Sequence, residues 1–329
     1  MQKGVELAIS TYNRPYILKK WLDANYRDVI NLGFSLAVYD SSNQDETEKL
    51  ILQVNSRCKK KIKYRRIDSN IRLDEKVIIS MVESDYEYVW PLGDSRYINF
   101  TDLEKKVVPF LNENYDYLCI WSESMLENDG MTYCDPAAFF SDCFWHVTWL
   151  GSLIIKKELL SGLNDSNVLE KYLSKYNRND GFSYLGIFFD IISLEKCKGV
   201  FSIVEIGELV PNKSSSWLKR YLEVWCDNLC FLIDKLDPVY NDVKEKVIRE
   251  VWDILNFDGP SWCYKARKAG GLTKEKCEFY CKQGLIDRVS PNKKRIMRFA
   301  SLPSPALEIY YFTLRVFFYL RKRIKKLLV

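Results

Sequence analysis

Apolar and polar positions alternate in blocks along the first 125 residues. Val5 to Ser10 is a short apolar run ended by Thr11-Tyr12-Asn13-Arg14-Pro15, and residues 16–26 then carry Ile17, Leu18, Trp21 and Leu22 at helical spacing. A second run, Phe34 to Tyr39, ends at Asp40-Ser41-Ser42-Asn43 and precedes a helix over 45–55 with Leu50, Ile51 and Val54 on one face. A third, Ile62 to Ile67, ends at Asp68-Ser69-Asn70 before a helix over Glu75 to Val82. A fourth, Tyr86 to Leu92, ends at Gly93-Asp94-Ser95-Arg96, and Tyr117 to Trp121 forms a fifth strand. Strand–polar loop–helix units repeating at roughly 30-residue intervals predict right-handed βαβ crossovers and a parallel sheet. In such a sheet ligands sit outside the carboxyl ends of the strands. A single polar cluster there is a helix cap or a turn. Four clusters at the ends of four strands predict a binding crevice.

From about residue 126 the pattern loosens. Residues 127–150, rich in Asp, Phe and Trp without clear periodicity, predict an irregular loop or lid. Gly151 to Ile155 reads as a strand, 156–162, 167–176 and 182–194 as helices, and Val200 to Ile206 as a late strand. Residues 217–256 read as helical, with Trp217, Tyr221, Trp225, Leu229 and Ile233 at spacings near four, until Asp258-Gly259-Pro260 breaks them; 273–284 is a further helix. The domain organisation this predicts is a sheet domain over 1–210, a helical region over 211–301 and a basic amphipathic tail over 302–329.

Composition is ordinary for a globular chain: 329 residues, 47% hydrophobic and 28% charged, which excludes collagenous, disordered and disulfide-knotted classes. No run of about 18 uncharged apolar residues suggests a membrane span, and the opening residues read as a strand without a signal-peptide pattern. Ten scattered cysteines fit reduced thiols in a cytosol; Cys226/Cys230 and Cys277/Cys281 have helical-face spacing, and the single histidine, His146, argues against a zinc site. Charge changes the picture more. Residues 293–329 hold ten Lys/Arg against one acid, Glu308, so this segment carries +9 and the rest of the chain −4 of the net +5. Leu307, Tyr310, Tyr311, Leu314, Phe317 and Phe318 stand there at helical spacing before Arg321-Lys322-Arg323 and Lys325-Lys326. The stretch is too short and too polar to span a bilayer. It predicts an interfacial helix on an anionic membrane surface, with docking on the body or on another chain as the alternative. Nucleic acid is not an expected partner, because the aromatics form a stripe instead of alternating with the basic residues.

Leu7-Ala8-Ile9-Ser10-Thr11-Tyr12-Asn13-Arg14-Pro15 resembles the opening strand and loop of family 2 glycosyltransferases of the GT-A fold. Asp40-Ser41-Ser42 resembles the family's acidic end of the second strand. Trp90-Pro91-Leu92-Gly93-Asp94-Ser95-Arg96 resembles its metal-binding DxD segment in the subset that writes Gly-Asp-Asp-Asp. His146-Val147-Thr148 and Ser152-Leu153-Ile154-Ile155 resemble a later segment of that subset. The resemblance covers roughly residues 5–205. It implies an α/β GT-A (Rossmann-like) fold, with a mostly parallel sheet flanked by helices and a C-terminal helical region. The implied activity is inverting transfer of a sugar from a nucleotide-sugar donor, UDP-linked, to a saccharide or lipid-linked saccharide acceptor. The implied place is cytoplasmic, peripheral on the inner face of the cell membrane.

Within that resemblance Thr11, Tyr12 and Arg14 hold the nucleotide, Tyr12 by stacking and Arg14 on a phosphate. Asp40 accepts hydrogen bonds from the base, with Ser41 and Ser42 shaping its pocket, and Asp94 approaches the diphosphate or ribose. The implied cofactor is Mg²⁺ or Mn²⁺ at Asp94, yet Arg96 stands where the family carries the second carboxylate. Two arrangements are open: Arg96 neutralises the leaving diphosphate itself, or Asp94 holds the metal with water and phosphate, the second being the expectation because one carboxylate plus phosphates suffices for Mg²⁺. The base that takes the acceptor proton is Asp180, in a polar stretch that also suits a helix cap, or His146, with Asp135 and Asp142 also open. Trp145 and Trp149 suit either a sugar platform or the core. Two other readings stand beside this one: a GT-A-fold scaffold without turnover, and a nucleotidyltransferase, which calls for a glycine-rich phosphate loop that Ser10-Thr11-Tyr12-Asn13-Arg14 does not supply.

Overall fold

The apolar runs form strands and the amphipathic stretches form helices in the order the alternation predicts, in a computed structural model that describes residues 2–121, 129–176, 181–208, 216–254, 256–313 and 316. Strands β1 (Gln2–Thr11), β2 (Ser35–Asp40), β3 (Lys63–Arg66) and β4 (Tyr86–Gly93) pair in parallel. Between them run α1 (Pro15–Asn31), α2 (Glu46–Arg57) and α3 (Leu73–Glu83). Pro15 suits the first turn of α1, where its missing N–H has no intrahelical partner to lose. That helix buries Leu18, Trp21, Leu22, Asn25 and Val29 along one stripe. All six residues of β2 are buried, which explains a continuous apolar run in place of alternation: a parallel strand is covered on both faces.

A short β5 (Arg96–Ile98) follows, then α4 (Phe100–Lys106), α5 (Val108–Asn112), β6 (Tyr117–Trp121) and β7 (Thr132–Tyr133). Residues 127–150, expected as a loop or lid, instead contain the helix α6 (Pro136–Val147) among their described part. Asp135 caps it, its Oδ1 accepting from the Ala137 N–H at 2.9 Å, and Pro136 opens the first turn. The seven buried residues from Phe139 to Val147 lie on every side of the helix, so no polar stripe marks its period. The next elements are β8 (Leu153–Lys156), 3₁₀ turns over Lys157–Asn164, α7 (Ser166–Tyr176), α8 (Ser183–Leu194), β9 (Gly199–Ile203) and β10 (Ile206–Glu208).

The main sheet has eight strands in the order β3-β2-β1-β4-β8-β6-β9-β7. Among the described strands of this sheet only β8, between β4 and β6, and the edge strand β7 run against their neighbours. β5 and β10 form a separate antiparallel ribbon, with Arg96 opposite Glu208 in register. The α/β architecture, mostly parallel with flanking helices, is therefore as the sequence predicts.

By compactness the chain divides into one unit of Met1–Asn212 with Leu232–Lys244 and a second of Lys213–Phe231 with Glu245–Val329. The core of the first packs Leu7, Ile9, Trp21, Val38 and Trp90 between sheet and helices. The continuous helix expected over 217–256 is broken. Ser216–Arg220 is 3₁₀, Glu223–Asn228 has π-type bonding, α9 spans Leu229–Lys235, and Pro238 stops the run before α10 (Asn241–Ile254). The second unit gathers Tyr221, Trp225, Trp252 and Phe257 into an aromatic core, Trp225 and Phe257 at 4.2 Å between centroids. Around it lie α11 (Pro260–Lys268), α12 (Lys274–Lys282), α13 (Leu285–Val289) and α14 (Lys293–Ser301).

The described part of the basic tail, helical over 304–313, docks on this second unit. Leu307 is buried, Tyr311 stacks on Tyr264 at 3.8 Å, and Glu308 accepts from Tyr264 and Lys268 at 2.7 and 2.6 Å. Ile309 and Phe312, each 69% exposed, point outward. Among the described residues no helix is long and apolar enough to cross a membrane.

Candidate active site

Register brings the site together. Thr11 lies beside Asp40 at the carboxyl ends of β1 and β2, and Ser10 lies beside Gly93 at the end of β4. Three loops from neighbouring parallel strands thus leave the sheet at one edge, as an open α/β crevice requires. The first two loops are clipped to one another. Asn13 adopts the left-handed conformation (φ 51°), its N–H donates to Ser42 Oγ at 2.7 Å, and its Oδ1 accepts from the Asn43 N–H at 2.9 Å. Asn43 Nδ2 also reaches the Tyr12 hydroxyl at 3.5 Å, and the Tyr12 ring stands 45% exposed.

Asp94 is fully buried. Thr11 Oγ1 donates to its Oδ2 at 2.7 Å, and Arg14 Nη2 faces its Oδ1 at 2.9 Å as an ion pair not aligned as a hydrogen bond. Burial raises its carboxyl above the ordinary range, while Arg14, Thr11 and Lys76 pull it back down. Arg14 is partly open to solvent, its side chain 38% exposed.

Asp40 is equally sealed, and its oxygens are engaged. Oδ1 accepts from the Ser42 N–H at 2.8 Å and from the Ser42 hydroxyl; Oδ2 accepts from the Tyr64 hydroxyl at 2.9 Å, with Arg66 at 3.5 Å. Asp40 therefore fixes the second loop from beneath. Burial, ahead of these bonds, pushes the Tyr64 hydroxyl up to about 12.

Sequence reasoning misses Lys76. It sits among Val77, Ile78 and Met81 on the buried face of α3, and a lysine inside an apolar helical stripe is the signal that marks it. Its Nζ donates to the Thr11 carbonyl and to Ser41 Oγ, both at 2.7 Å, beneath both loops. Burial lowers its ammonium to about 8, with Arg14 adding to the fall while Asp40 and Asp94 oppose it. A group whose charge is lost near pH 8 supports an anion below that pH and not above it. Anion binding at this crevice is expected to weaken as pH rises through about 8, and Lys76→Met to flatten that dependence; titration calorimetry across this range is the check.

Arg96 lies next to a second feature. Its carbonyl accepts from Trp21 Nε1 at 2.8 Å, which fixes the backbone, and its guanidinium carbon stands 5.1 Å from the centre of the Trp149 ring. With Trp121, Trp149, Gly151, Ser152 and Gly207 it lines a cavity of about 210 Å³. Gly151 (φ 109°) is required here: a Cβ would come within 2.8 Å of Leu92, and its carbonyl accepts from Trp90 Nε1 at 2.8 Å. The Trp149 indole nitrogen is buried without a hydrogen-bond partner. Trp121 is the second residue that sequence reasoning misses, hidden at the end of an apolar strand.

Other expected residues lie elsewhere. Trp145 is 6% exposed and packs on His146 at 3.5 Å, so it belongs to the core and Trp149 alone of the pair lines the cavity. His146 is wholly buried against Trp145, Phe201 and Trp121, with neither ring nitrogen hydrogen-bonded, and burial lowers its imidazole to about 3. Asp135 caps α6, and Asp142 accepts from the Tyr133 hydroxyl at 3.5 Å. Asp180 lies outside the described residues.

A divalent cation of the Mg²⁺ or Mn²⁺ kind needs several oxygen ligands. Of the two carboxylates that the described strand ends bring here, Asp40 is engaged by Ser42 and Tyr64 and Asp94 already faces Thr11 and Arg14, and no group of three His, Cys, Asp or Glu residues among those described is arranged to hold a metal. The residues in place do not fit the implied ion.

Known structures share the fold. S. aureus TarS (residues 1–349) matches 91% of this chain and 90% of its own, with a TM-score of 0.51 at 14% identity. This likeness establishes the GT-A-like sheet-and-helix fold. The same protein in complex with UDP covers the same shares, with a TM-score of 0.48 at 13% identity. The Pyrobaculum calidifontis mannosyltransferase PcManGT, in complex with GDP-Man and Mn²⁺, covers 90% of this chain and 84% of its own, with a TM-score of 0.49 at 13% identity. No protein-family model and no curated protein matches the sequence.

Proposed function

We propose that this chain is a glycosyltransferase that moves a sugar from a nucleoside-diphosphate donor, UDP-linked, to a hydroxyl of a saccharide or lipid-linked saccharide acceptor, with inversion. The observation that carries this reading is the convergence of Thr11, Arg14 and Asp94 at the carboxyl ends of β1 and β4, next to an aromatic cavity that contains Arg96. Tyr12 supplies a ring for the base, Asp40 and Ser42 hold the loop that shapes the base pocket, and Arg14 meets a phosphate. The buried Asp94 Oδ1 faces Arg14 at 2.9 Å and fixes the direction of that guanidinium. Trp149 and Trp121 bound a pocket of a size for one sugar ring, whose C–H face packs on aromatic surface.

In the transfer the acceptor oxygen attacks the anomeric carbon, the bond to the β-phosphate oxygen breaks, and the nucleoside diphosphate leaves with that electron pair. Asp180 is the carboxylate proposed to take the acceptor proton. His146 has no part in it, because a sealed imidazole so weakly basic does not reach an acceptor hydroxyl. A membrane-bound acceptor suits the tail, where exposed Ile309 and Phe312 accompany the +9 charge of residues 293–329.

A panel of nucleotide sugars tested by thermal shift and by nucleotide release with saccharide acceptors checks the reading. One UDP-sugar is expected to raise Tm, by the equivalent of about 2.7 kcal/mol at a hundredfold excess over Kd, and to release UDP only with acceptor. No shift with any donor rejects the proposal. The Asp94-Ser95-Arg96 segment, short of one carboxylate, favours a second reading, a nucleotide-binding scaffold without turnover; a donor shift without acceptor-dependent release selects it.

A further inference from the structure

We propose that the crevice grips the diphosphate of its donor with arginine in place of a divalent cation, Arg14 and Arg96 supplying the charge that a metal supplies elsewhere. The inference rests on the nucleotide-sugar reading and fixes how that reading works. A bound metal needs carboxylate oxygens turned toward the phosphates. Here Asp94 Oδ2 holds the Thr11 hydroxyl at 2.7 Å and Oδ1 faces Arg14 at 2.9 Å. An ion entering beside Oδ1 meets a guanidinium in the place of a second ligand, and like charges at such separations repel strongly in a partly dry site. Two positions further on, where another carboxylate would complete the ligand set, stands Arg96.

The same arrangement suits a diphosphate directly. Arg14 is paired with Asp94, which fixes its direction, and keeps 38% of its side chain exposed, which leaves donors for a phosphate. Trp21 holds the Arg96 carbonyl, and the Trp149 ring lies beside its guanidinium. Its planar donor fork matches phosphate oxygens in pairs. Lys76 adds a third cation beneath Thr11 and Ser41. Arg66 stands 3.5 Å from Asp40, so that buried carboxylate has a cation of its own besides Lys76.

Titration calorimetry of the full chain with UDP and with GDP, in excess EDTA and in excess MnCl₂, tests this. Wild type is expected to bind with the same affinity, within about twofold, in both buffers. Arg96→Gln is expected to weaken binding about tenfold in both, the weight of one charge-assisted contact. The double change Ser95→Asp with Arg96→Asp rebuilds a ligand set and is expected to make binding Mn²⁺-dependent. Circular dichroism of each variant establishes that it is folded. Wild-type binding that vanishes in EDTA and returns with Mn²⁺ overturns the arginine grip and leaves the nucleotide reading standing. Absence of binding for both nucleotides in both buffers overturns the nucleotide reading and the grip with it.

Discussion

Arg14→Ala is expected to lower nucleotide-sugar-dependent transfer by about a hundredfold or more, the usual loss when one preorganised charge on a leaving group is removed. The side chain has two duties, and the variant separates them. On its exposed side, it is the cation proposed to meet the charge that develops on the departing diphosphate. Inward, it is the cation 2.9 Å from buried Asp94. Without it, burial acts on that carboxyl with less opposition, so the folded state holds its proton to higher pH than the unfolded chain does. Stability of the variant should therefore fall as pH rises above the ordinary carboxylate range, more steeply than in wild type. Adding Asp94→Asn should remove this loss, because the amide carries no charge and its oxygen still accepts from Thr11. The double variant should thus recover Tm without recovering transfer. Measurement of kcat/KM and Tm on the single and double variants checks both halves. Transfer by Arg14→Ala within a few-fold of wild type would refute the role.

Acid should unfold this protein through His146. The imidazole is held near 3 by burial alone, against about 6.5 in an unfolded chain. Between those values the unfolded state binds a proton that the folded state refuses, so stability is present above pH 6.5 and is lost as pH falls toward 3. The slope from this one group approaches about 1.4 kcal/mol per pH unit, or about 5 kcal/mol over the whole window, an upper figure because partial opening of the site relieves it. His146→Phe keeps a ring among Trp145, Phe201 and Trp121 and removes two buried nitrogens without partners. It is expected to match or exceed wild-type stability at neutral pH and to lose much less on acidification. Urea unfolding of both proteins at a series of pH values gives the comparison; parallel curves would show that His146 does not govern the acid response.

The sequence carries β1 to β4 openly, because each parallel strand is a short apolar run and each turns polar where it leaves the sheet. The same rule brings out Thr11, Arg14, Asp40 and Asp94, since residues at those exits can face a ligand. What one-dimensional pattern does not carry is which of them touch. Thr11 and Asp94 are 83 residues apart, and only the pairing of β1 with β4 brings them to 2.7 Å. The Arg14–Asp94 pair is hidden for the same reason, and with it the misfit to the metal that a lone carboxylate at Asp94 suggests. Helix α6 escapes because a segment apolar all round has no amphipathic period, and the residues inside it then look like lid residues. Lys76 escapes because its neighbours in sequence read as core.

One consequence follows from the direction of β8. Because this strand runs against β4 and β6, its start and not its finish lies at the ligand edge, and Trp149 to Ser152 reach the cavity from there. The chain segment ahead of β8 is therefore a place where insertions or exchanges remodel this cavity without lengthening the loops after β1, β2 and β4. Grafting that segment between relatives should move acceptor or sugar preference while donor-base preference stays where it was.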